Sequence, residues 1–378
     1  MNSRERIKRY IIDKDNVDRI PWTLGFGATH GLNPNLLAKY KEYKGIKTSI
    51  YEYFDFDIRI VFDPETFPEK RAGDAALAGY PFFLKNNIKK KEYYKEVKKE
   101  GYLDKFGILH VPWPADPTFE EYYSPLSKIE DNVYEIVDSY PMPRVDKVKM
   151  LLAKKDVERI KEKNKMSVFY GGELFEWVTN IRGTEQFFLD LYSNRKAAFR
   201  LIEKVKNVTL ENALEMARID VDIIAFYDDW GTQIALQISP EMWRKFFKKP
   251  WKEIIDKVKN IKSDAIIFLH SCGNIEELIP DVIDCGFEII NPIQPEAMDV
   301  EKIVKRYKKY ITFWGTISEQ KLLPYGSKKE IEDQIKNRVD MVNNGAKIII
   351  SPSNILGPEV PLKNIDYFVE ACKKYCVC

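Results

Sequence analysis

Residues 265–274 read AIIFLHSCGN, and this stretch decides the fold class of the chain. Five apolar residues, typical of a buried strand, lead into a polar turn that contains glycine, and a helical stretch follows at 275–285. The same succession recurs through the second half of the sequence. Strand-like runs lie at residues 166–170, 222–227, 265–269, 288–290, 311–314 and 347–350, and helical stretches lie at 184–218, 240–259, 275–285, 300–307, 328–344 and 364–375. Strands that alternate with helices favour a parallel sheet.

The six strand-and-helix units fit either a doubly wound sheet or most of an eight-stranded barrel. No Gly-x-Gly-x-x-Gly turn follows a strand, which argues against a dinucleotide-binding sheet. Two earlier apolar runs, at 20–26 and 106–113, can supply the missing strands of a barrel. We therefore predict an α/β protein with a (β/α)8 TIM barrel as a single domain over residues 1–378. An irregular segment at about 65–144 is expected to be an insertion or N-terminal elaboration of that barrel.

The charge balance and the cysteine content exclude several classes of protein. Lys plus Arg is 60 and Asp plus Glu is 58, so a net charge of +2 gives no electrostatic case for a nucleic-acid partner or an anionic membrane. No apolar run approaches the ~20 residues of a membrane span, and the N-terminus lacks the apolar stretch of a secretion signal. The 5 cysteines are thinly spread, which suits a reducing compartment. We expect a cytoplasmic protein.

The polar residues that follow the strand runs predict where the chemistry lies. In a (β/α)8 barrel, active sites form at the C-terminal ends of the strands. His270 and Cys272 follow one such run, and imidazole nitrogen and thiolate sulfur are the ligands that zinc prefers. The simpler alternative is a hydrogen-bonded histidine next to a small buried cysteine. Two ligands do not complete a zinc site, and the acidic candidates for a third are Glu173, Glu176, Asp228 and Asp229.

Asp228 and Asp229 directly follow another strand run, so their carboxylates are expected near each other at the barrel mouth. Neighbouring carboxylates can hold a proton or a cation, because two like charges close together raise one pKa. Alternatively, one of them caps the following turn. We predict a catalytic role for both, and for Glu176, although glutamates in a first helical turn often serve the helix dipole. The residues predicted to bind substrate are Asn291, Gln294, Trp314 and Asn354.

Several of these segments together resemble the uroporphyrinogen-decarboxylase superfamily. They read FLHSCGN at 268–274, NPIQPE at 291–296, DDWGTQ at 228–233 and FWG at 313–315, in collinear order over roughly residues 120–375. The resemblance implies a (β/α)8 barrel. It also implies one of two chemistries: cofactor-independent decarboxylation of uroporphyrinogen III, or zinc-dependent transfer of a methyl group between a corrinoid protein and a thiol or other acceptor. In the second branch a His-x-Cys pair and a later cysteine hold zinc, and His270 and Cys272 match that pair.

The decarboxylase branch fits this sequence poorly. Its N-terminal Met-Arg-Gln-Ala-Gly-Arg-Tyr motif is absent, and residues 19–25 read RIPWTLG instead. A substrate with eight carboxylates needs several cationic partners. The available arginines, Arg59, Arg71 and Arg182, all lie outside the expected context.

The methyltransferase branch fits better, with one departure. Its third ligand, a cysteine, aligns with residues 351–354, which read SPSN. Either an oxygen ligand from Asp228, Glu176 or Asn354 replaces that cysteine, or zinc binds weakly or not at all. The resemblance therefore implies a zinc-dependent methyltransferase with a methyl-corrinoid carried by a partner protein, a small-molecule acceptor, and a homodimer as an allowed state.

Two alternatives stay open at this point. One is a carboxy-lyase of the uroporphyrinogen-decarboxylase type, or a tetrapyrrole-binding protein without metal. In it, Asp228 or Asp229 would face ring N–H groups while Asn291 and Gln294 supply hydrogen bonds. The other is a non-catalytic relative that docks onto a methyltransferase complex, against which the retained polar residues at the strand ends argue.

Overall fold

The computed structural model describes residues 1–25, 31–62, 101–112 and 120–377. Its strands are β1 (Ile58–Ile60), β2 (Tyr102–Leu103), β3 (Leu109–Pro112), β4 (Glu120–Tyr123), β5 (Met166–Gly172), β6 (Ile223–Tyr227), β7 (Ile266–His270), β8 (Ile289–Asn291), β9 (Thr312–Trp314) and β10 (Ile348–Ile349). Its helices are α1 (Ser3–Lys8), α2 (Pro34–Lys44), α3 (Ile50–Tyr53), α4 (Val133–Ser139), α5 (Lys147–Glu162), α6 (Phe175–Arg182), α7 (Thr184–Ser193), α8 (Arg195–Arg218), α9 (Pro240–Trp243), α10 (Lys249–Ile261), α11 (Ile279–Cys285), α12 (Val300–Tyr307), α13 (Leu322–Tyr325), α14 (Lys328–Asn343) and α15 (Leu362–Tyr375).

Seven strands form one parallel sheet in the order β1-β5-β6-β7-β8-β9-β10. An eighth segment continues the sheet beyond β10, where Trp22 forms a parallel bridge with Ile350. The N–H of Thr23 donates to the carbonyl of Ile350 at 2.9 Å, and the N–H of Ile350 donates to the carbonyl of Pro21 at 3.0 Å. Together with the helices that alternate with the strands, this arrangement confirms the predicted (β/α)8 fold.

The strands of the parallel sheet are mostly apolar because helices cover them on the outside and side chains fill the interior. Every residue of β5 and of β7 is buried, as expected for parallel strands covered on both faces. The long helix α8 buries a stripe of aliphatic side chains against β5. Ser239 caps the start of α9, since its hydroxyl accepts the N–H of Met242 at 3.3 Å and Pro240 occupies the first turn.

The predicted barrel strand at 106–113 is wrong. Residues Leu109–Pro112 instead form β3 of a separate antiparallel sheet, in the order β2-β3-β4. The barrel takes Ile58–Ile60 as its strand next to β5. The run at 20–26 does pair with the barrel at residues 21–23, and residues 26–30 lie outside the described residues.

Much of the predicted insertion at about 65–144 also lies outside the described residues, namely 65–100 and 113–119. The described remainder contains the small antiparallel sheet and helix α4, so the extent of the insertion stays a prediction. Across the described ranges, no helix combines the length and the apolar character that crossing a membrane requires.

Candidate functional site

The imidazole of His270 is held at the C-terminal end of the sheet by neighbouring strand ends. His270 ends β7, and its Nδ1 lies 2.6 Å from Oδ1 of Asn291, which ends β8. The Asn291 amide is oriented in turn because its Nδ2 donates to the carbonyl of Trp314, at the end of β9, at 2.7 Å. Asn291 therefore accepts a hydrogen bond from Nδ1–H of His270, which leaves the lone pair of the ring on Nε2.

Three side chains of different chemistry converge on one point in front of Nε2. The Nε2 atom of His270 lies 3.3 Å from Sγ of Cys272 and 3.7 Å from Oδ1 of Asp229. The donor atoms of Asp229, His270 and Cys272 all lie within 4.8 Å of one another. Tetrahedral zinc, with bonds of about 2.0–2.3 Å, places its ligand atoms about 3.3–3.8 Å apart. Both distances from Nε2 lie in that range, so this donor set of one nitrogen, one sulfur and one carboxylate oxygen fits a zinc ion.

Asn354 contacts the sulfur of Cys272 from the loop after β10, within the segment 351–354 where the resemblance implied a third cysteine. Its Nδ2 lies 3.2 Å from Sγ of Cys272 and donates to it. Its Oδ1 accepts the N–H of Ile355 at 2.7 Å, which fixes the amide with its NH2 group toward the sulfur. The structure groups Asp229, one of the four acidic candidates for a third ligand, with the pair, whereas Asp228 and Glu176 lie outside that group.

Asp228 is turned into the protein, away from its neighbour. It is fully buried, and its Oδ1 accepts the N–H groups of Leu174 at 3.1 Å and of Glu176 at 3.0 Å. Its Oδ2 accepts the indole N–H of Trp230 at 2.7 Å. Burial raises the pKa of Asp228 to about 6. The expectation that either aspartate could face a ligand is thus corrected, because Asp228 anchors the start of α6 and only Asp229 faces the site.

Glu176, in the first turn of α6, contacts the backbone of Asp229. Its Oε2 accepts the N–H of Asp229 at 3.2 Å. Burial raises the pKa of Glu176 well above its usual range, and the negative charges of Glu173, Asp229 and Asp228 raise it further. These surroundings favour the protonated form of Glu176, and its catalytic role stays a prediction.

The surroundings favour the neutral forms of both members of the His-x-Cys pair. Burial lowers the pKa of His270 and raises the pKa of the Cys272 thiol, to which the carboxylates of Asp229 and Glu176 contribute. Neutral imidazole is the form that binds a metal ion, and a bound cation reverses the preference of the thiol by favouring thiolate.

The residues predicted to bind substrate lie mostly behind this pair. Gln294 accepts the N–H of Gly273 at 3.1 Å and is 3% exposed, so it supports the turn that carries Cys272. Trp314 is 1% exposed, and its indole N–H lies 3.3 Å from both Oγ1 of Thr23 and the carbonyl of Gly25. The structure thus shows packing and support for Gln294 and Trp314, as it does for Asn291, and their contact with substrate stays a prediction.

Glu319 is a site residue that the sequence reasoning missed. It lies in the loop after β9 and is 8% exposed. Burial, together with the charge of Glu296, raises the pKa of Glu319 to about 7. The charge of Glu319 also contributes to the raised pKa of Cys272. The sequence feature that could have identified Glu319 is its position shortly after the predicted strand at 311–314.

The arginines considered for a polycarboxylate substrate are engaged elsewhere. Arg182 is buried, and its Nε donates to Oδ2 of Asp190 at 2.6 Å. Arg59 donates to the carbonyl of Ile58 at 3.2 Å and lies 3.7 Å from Asp55. Arg71 lies outside the described residues. Neither of the two described arginines is thus placed to meet substrate carboxylates.

The known proteins that this chain is similar to include methyltransferases and uroporphyrinogen decarboxylases. A structure of a methyltransferase from Methanosarcina mazei matches with a TM-score of 0.63 and 17% identity over 99% of both chains, which shows a shared fold. Uroporphyrinogen decarboxylase from Rickettsia africae (strain ESF-5) is 26% identical over 49% of this chain and 51% of its own. The methylcobamide:CoM methyltransferase MtaA of Methanosarcina barkeri is 25% identical over 46% of this chain and 49% of its own.

The chain thus spans about half the length of these two curated relatives. The family model of uroporphyrinogen decarboxylase (URO-D) matches residues 131–375, which is more than half of the chain. This match confirms the resemblance seen in the sequence motifs. The chain belongs to the uroporphyrinogen decarboxylase (URO-D) family.

Proposed function

We propose that this protein is a zinc-dependent methyltransferase that transfers a methyl group between a corrinoid protein and an acceptor such as a thiol. The observation that carries the proposal is the convergence of Asp229, His270 and Cys272, whose spacing suits tetrahedral zinc. The similarity to a methylcobamide:CoM methyltransferase supports it. A corrinoid protein partner, a single barrel domain, a cytoplasmic location and a homodimer belong to the same proposal.

Each residue of the site has a distinct task in this reaction. Asn291 keeps the imidazole of His270 in the tautomer that presents Nε2. Asp229 accepts the N–H of Cys272 at 2.7 Å, which ties the carboxylate to the loop that carries the sulfur. Glu176 accepts the N–H of Asp229 through Oε2 and so helps to hold the backbone that carries the Asp229 carboxylate. Zinc bound there would supply the positive charge that lets an acceptor thiol ionise at neutral pH.

In the transfer step, a lone pair of the acceptor sulfur forms the new sulfur–carbon bond. The bond between the methyl group and its donor breaks at the same time, and its electron pair leaves with the donor. A linear approach of the two reactants is required, and the open end of the barrel, where all three donor residues lie, is the side from which a partner protein reaches the site.

The test combines metal content with turnover. We expect one zinc ion per chain after reconstitution, and a loss of most of that zinc in His270→Ala and Asp229→Ala. His110→Ala is the matched control, because it removes the other described histidine, on β3 of the small sheet. Methylcobalamin and a small thiol then serve as substrates in a spectroscopic assay of demethylation. A protein that binds no zinc, and whose demethylation is unchanged by His270→Ala, would refute the proposal.

The second candidate is a metal-independent lyase or tetrapyrrole-binding protein, which the similarity to uroporphyrinogen decarboxylases favours. Under that hypothesis, porphyrinogens bind with the same affinity before and after treatment with a chelator. The contacts of Arg59 and Arg182 with protein groups weigh against it. Spectral titration with a porphyrinogen and with cobalamin, each with and without chelator, separates the two functions.

A further inference from the structure

The contact between Asn354 and Cys272 has a role of its own if the function proposed above holds. The loop after β10 is fixed beside the loop after β9, since Ile317 forms a bridge with Pro352 and the N–H of Ser353 donates to the Ile317 carbonyl at 2.9 Å. The amide of Asn354 cannot simply turn over, because its Oδ1 already accepts the N–H of Ile355. Its NH2 group is therefore directed at the Cys272 sulfur, 3.2 Å away.

A hydrogen bond from an amide N–H withdraws electron density from a sulfur atom. When a metal ion is bound, two sulfur nucleophiles compete for the methyl group: the acceptor thiolate and the sulfur of Cys272. Methylation of Cys272 would form a bond between its sulfur and the methyl carbon and break the bond to the donor. The product is a neutral thioether, which is a weaker ligand than thiolate, so the site would lose affinity for its metal.

We infer that Asn354 is a positioning residue that protects Cys272, because its N–H group weakens the sulfur as a nucleophile and so directs the methyl group to the acceptor. Asn354 is therefore neither a metal ligand nor, in this role, a substrate-binding residue. Its N–H group is directed at the one sulfur atom of the three-residue donor set.

The test uses Co²⁺-loaded protein and two variants. Asn354→Leu keeps the branched shape of the side chain but has no N–H, and Asn354→Ala removes the side chain. The first measurement is the sulfur-to-cobalt charge-transfer band, which we expect at longer wavelength in both variants. The second is the rate at which methyl iodide alkylates Cys272, followed by peptide mass spectrometry. We expect a roughly three- to tenfold increase, the range that one net hydrogen bond corresponds to.

Asn337→Ala serves as the control, because that amide donates to Glu301 on an exposed surface at 3.0 Å. Unchanged bands and alkylation rates in both Asn354 variants, on protein that binds Co²⁺ with a sulfur band, would overturn the inference and leave the proposed function standing. Acceleration in Asn354→Ala alone would also overturn it, since wider access would then be the cause. Failure of the unmodified protein to bind Co²⁺ through sulfur would instead refute the proposed function.

Discussion

Replacement of Asp228 by Asn is expected to change how the stability of the protein depends on pH. The Asp228 carboxyl is buried in full, and burial raises its pKa from 3.8 to about 6. A difference of about 2 units between the folded and unfolded states corresponds to about 3 kcal/mol at a pH where the group is ionised in both. Asn has the same shape and no proton to gain or lose.

The sign follows from which state binds the proton more tightly. The pKa of Asp228 is higher in the folded protein, so the folded state retains the proton to a higher pH than the unfolded state does. Its contribution to the free energy of unfolding therefore increases as the pH falls through about 6 toward the unfolded value. Relative to Asp228→Asn, the unmodified protein should gain about 1.4 kcal/mol between pH 7.5 and pH 5.

Urea unfolding followed by tryptophan fluorescence measures this at pH 5, 6 and 7.5. The difference between the two proteins at each pH cancels the titration of the other groups. We also expect the variant to be less stable by the same amount at every pH. In Asp228→Asn an Nδ2 group replaces Oδ2, so two hydrogen-bond donors, this NH2 and the indole N–H of Trp230, face each other. Since burial and neighbouring negative charges also raise the pKa of Glu176, Glu176→Gln in both backgrounds separates its contribution. Stability curves that run parallel at all three pH values would refute the reasoning.

Three further changes test other contacts. Gly315 has φ +82° and a Cβ there would lie 2.5 Å from Nδ2 of Asn291, so Gly315→Ala should displace that amide and weaken both stability and zinc binding, as measured by thermal unfolding and metal competition. Asn291→Leu should weaken zinc binding by about 10- to 100-fold without abolishing it, because His270 loses its orienting partner, and equal affinity would contradict this. Arg182→Leu leaves the buried Asp190 carboxylate without its cation and should cost about 3–5 kcal/mol in urea unfolding; the double change with Asp190→Leu should recover much of that loss.

The second half of the barrel was predictable because its strands are covered on both faces. A continuous apolar run of four to six residues, bounded by polar turns and followed by a helix, leaves few other interpretations. The predicted run at 265–269 differs from β7 by one residue at each end, and the run at 311–314 differs from β9 by one residue at its start. Site residues could be named for the same reason, since any polar residue directly after such a run lies at the C-terminal rim.

The strand partners of the first half were not predictable from local pattern. Ile58–Ile60 has three residues, with Arg59 in the middle, which is too short to show a period. Residues 109–112 do form a strand, but local sequence cannot say whether its partners belong to the barrel or to a separate sheet. The orientation of neighbouring side chains was also hidden: Asp228 and Asp229 look equivalent in sequence, and successive side chains after a strand point to opposite sides.

The hydrogen bonds that hold His270 at the end of the sheet have a consequence for how a metal ion would bind. The imidazole is held through Asn291 to the carbonyl of Trp314, so three successive strand ends fix it before any ion arrives. Zinc fingers order their chain as they load, and so bury much apolar surface. Here loading should instead proceed with almost no change in heat capacity, at a rate set by the escape of water from the ion rather than by any folding of the polypeptide.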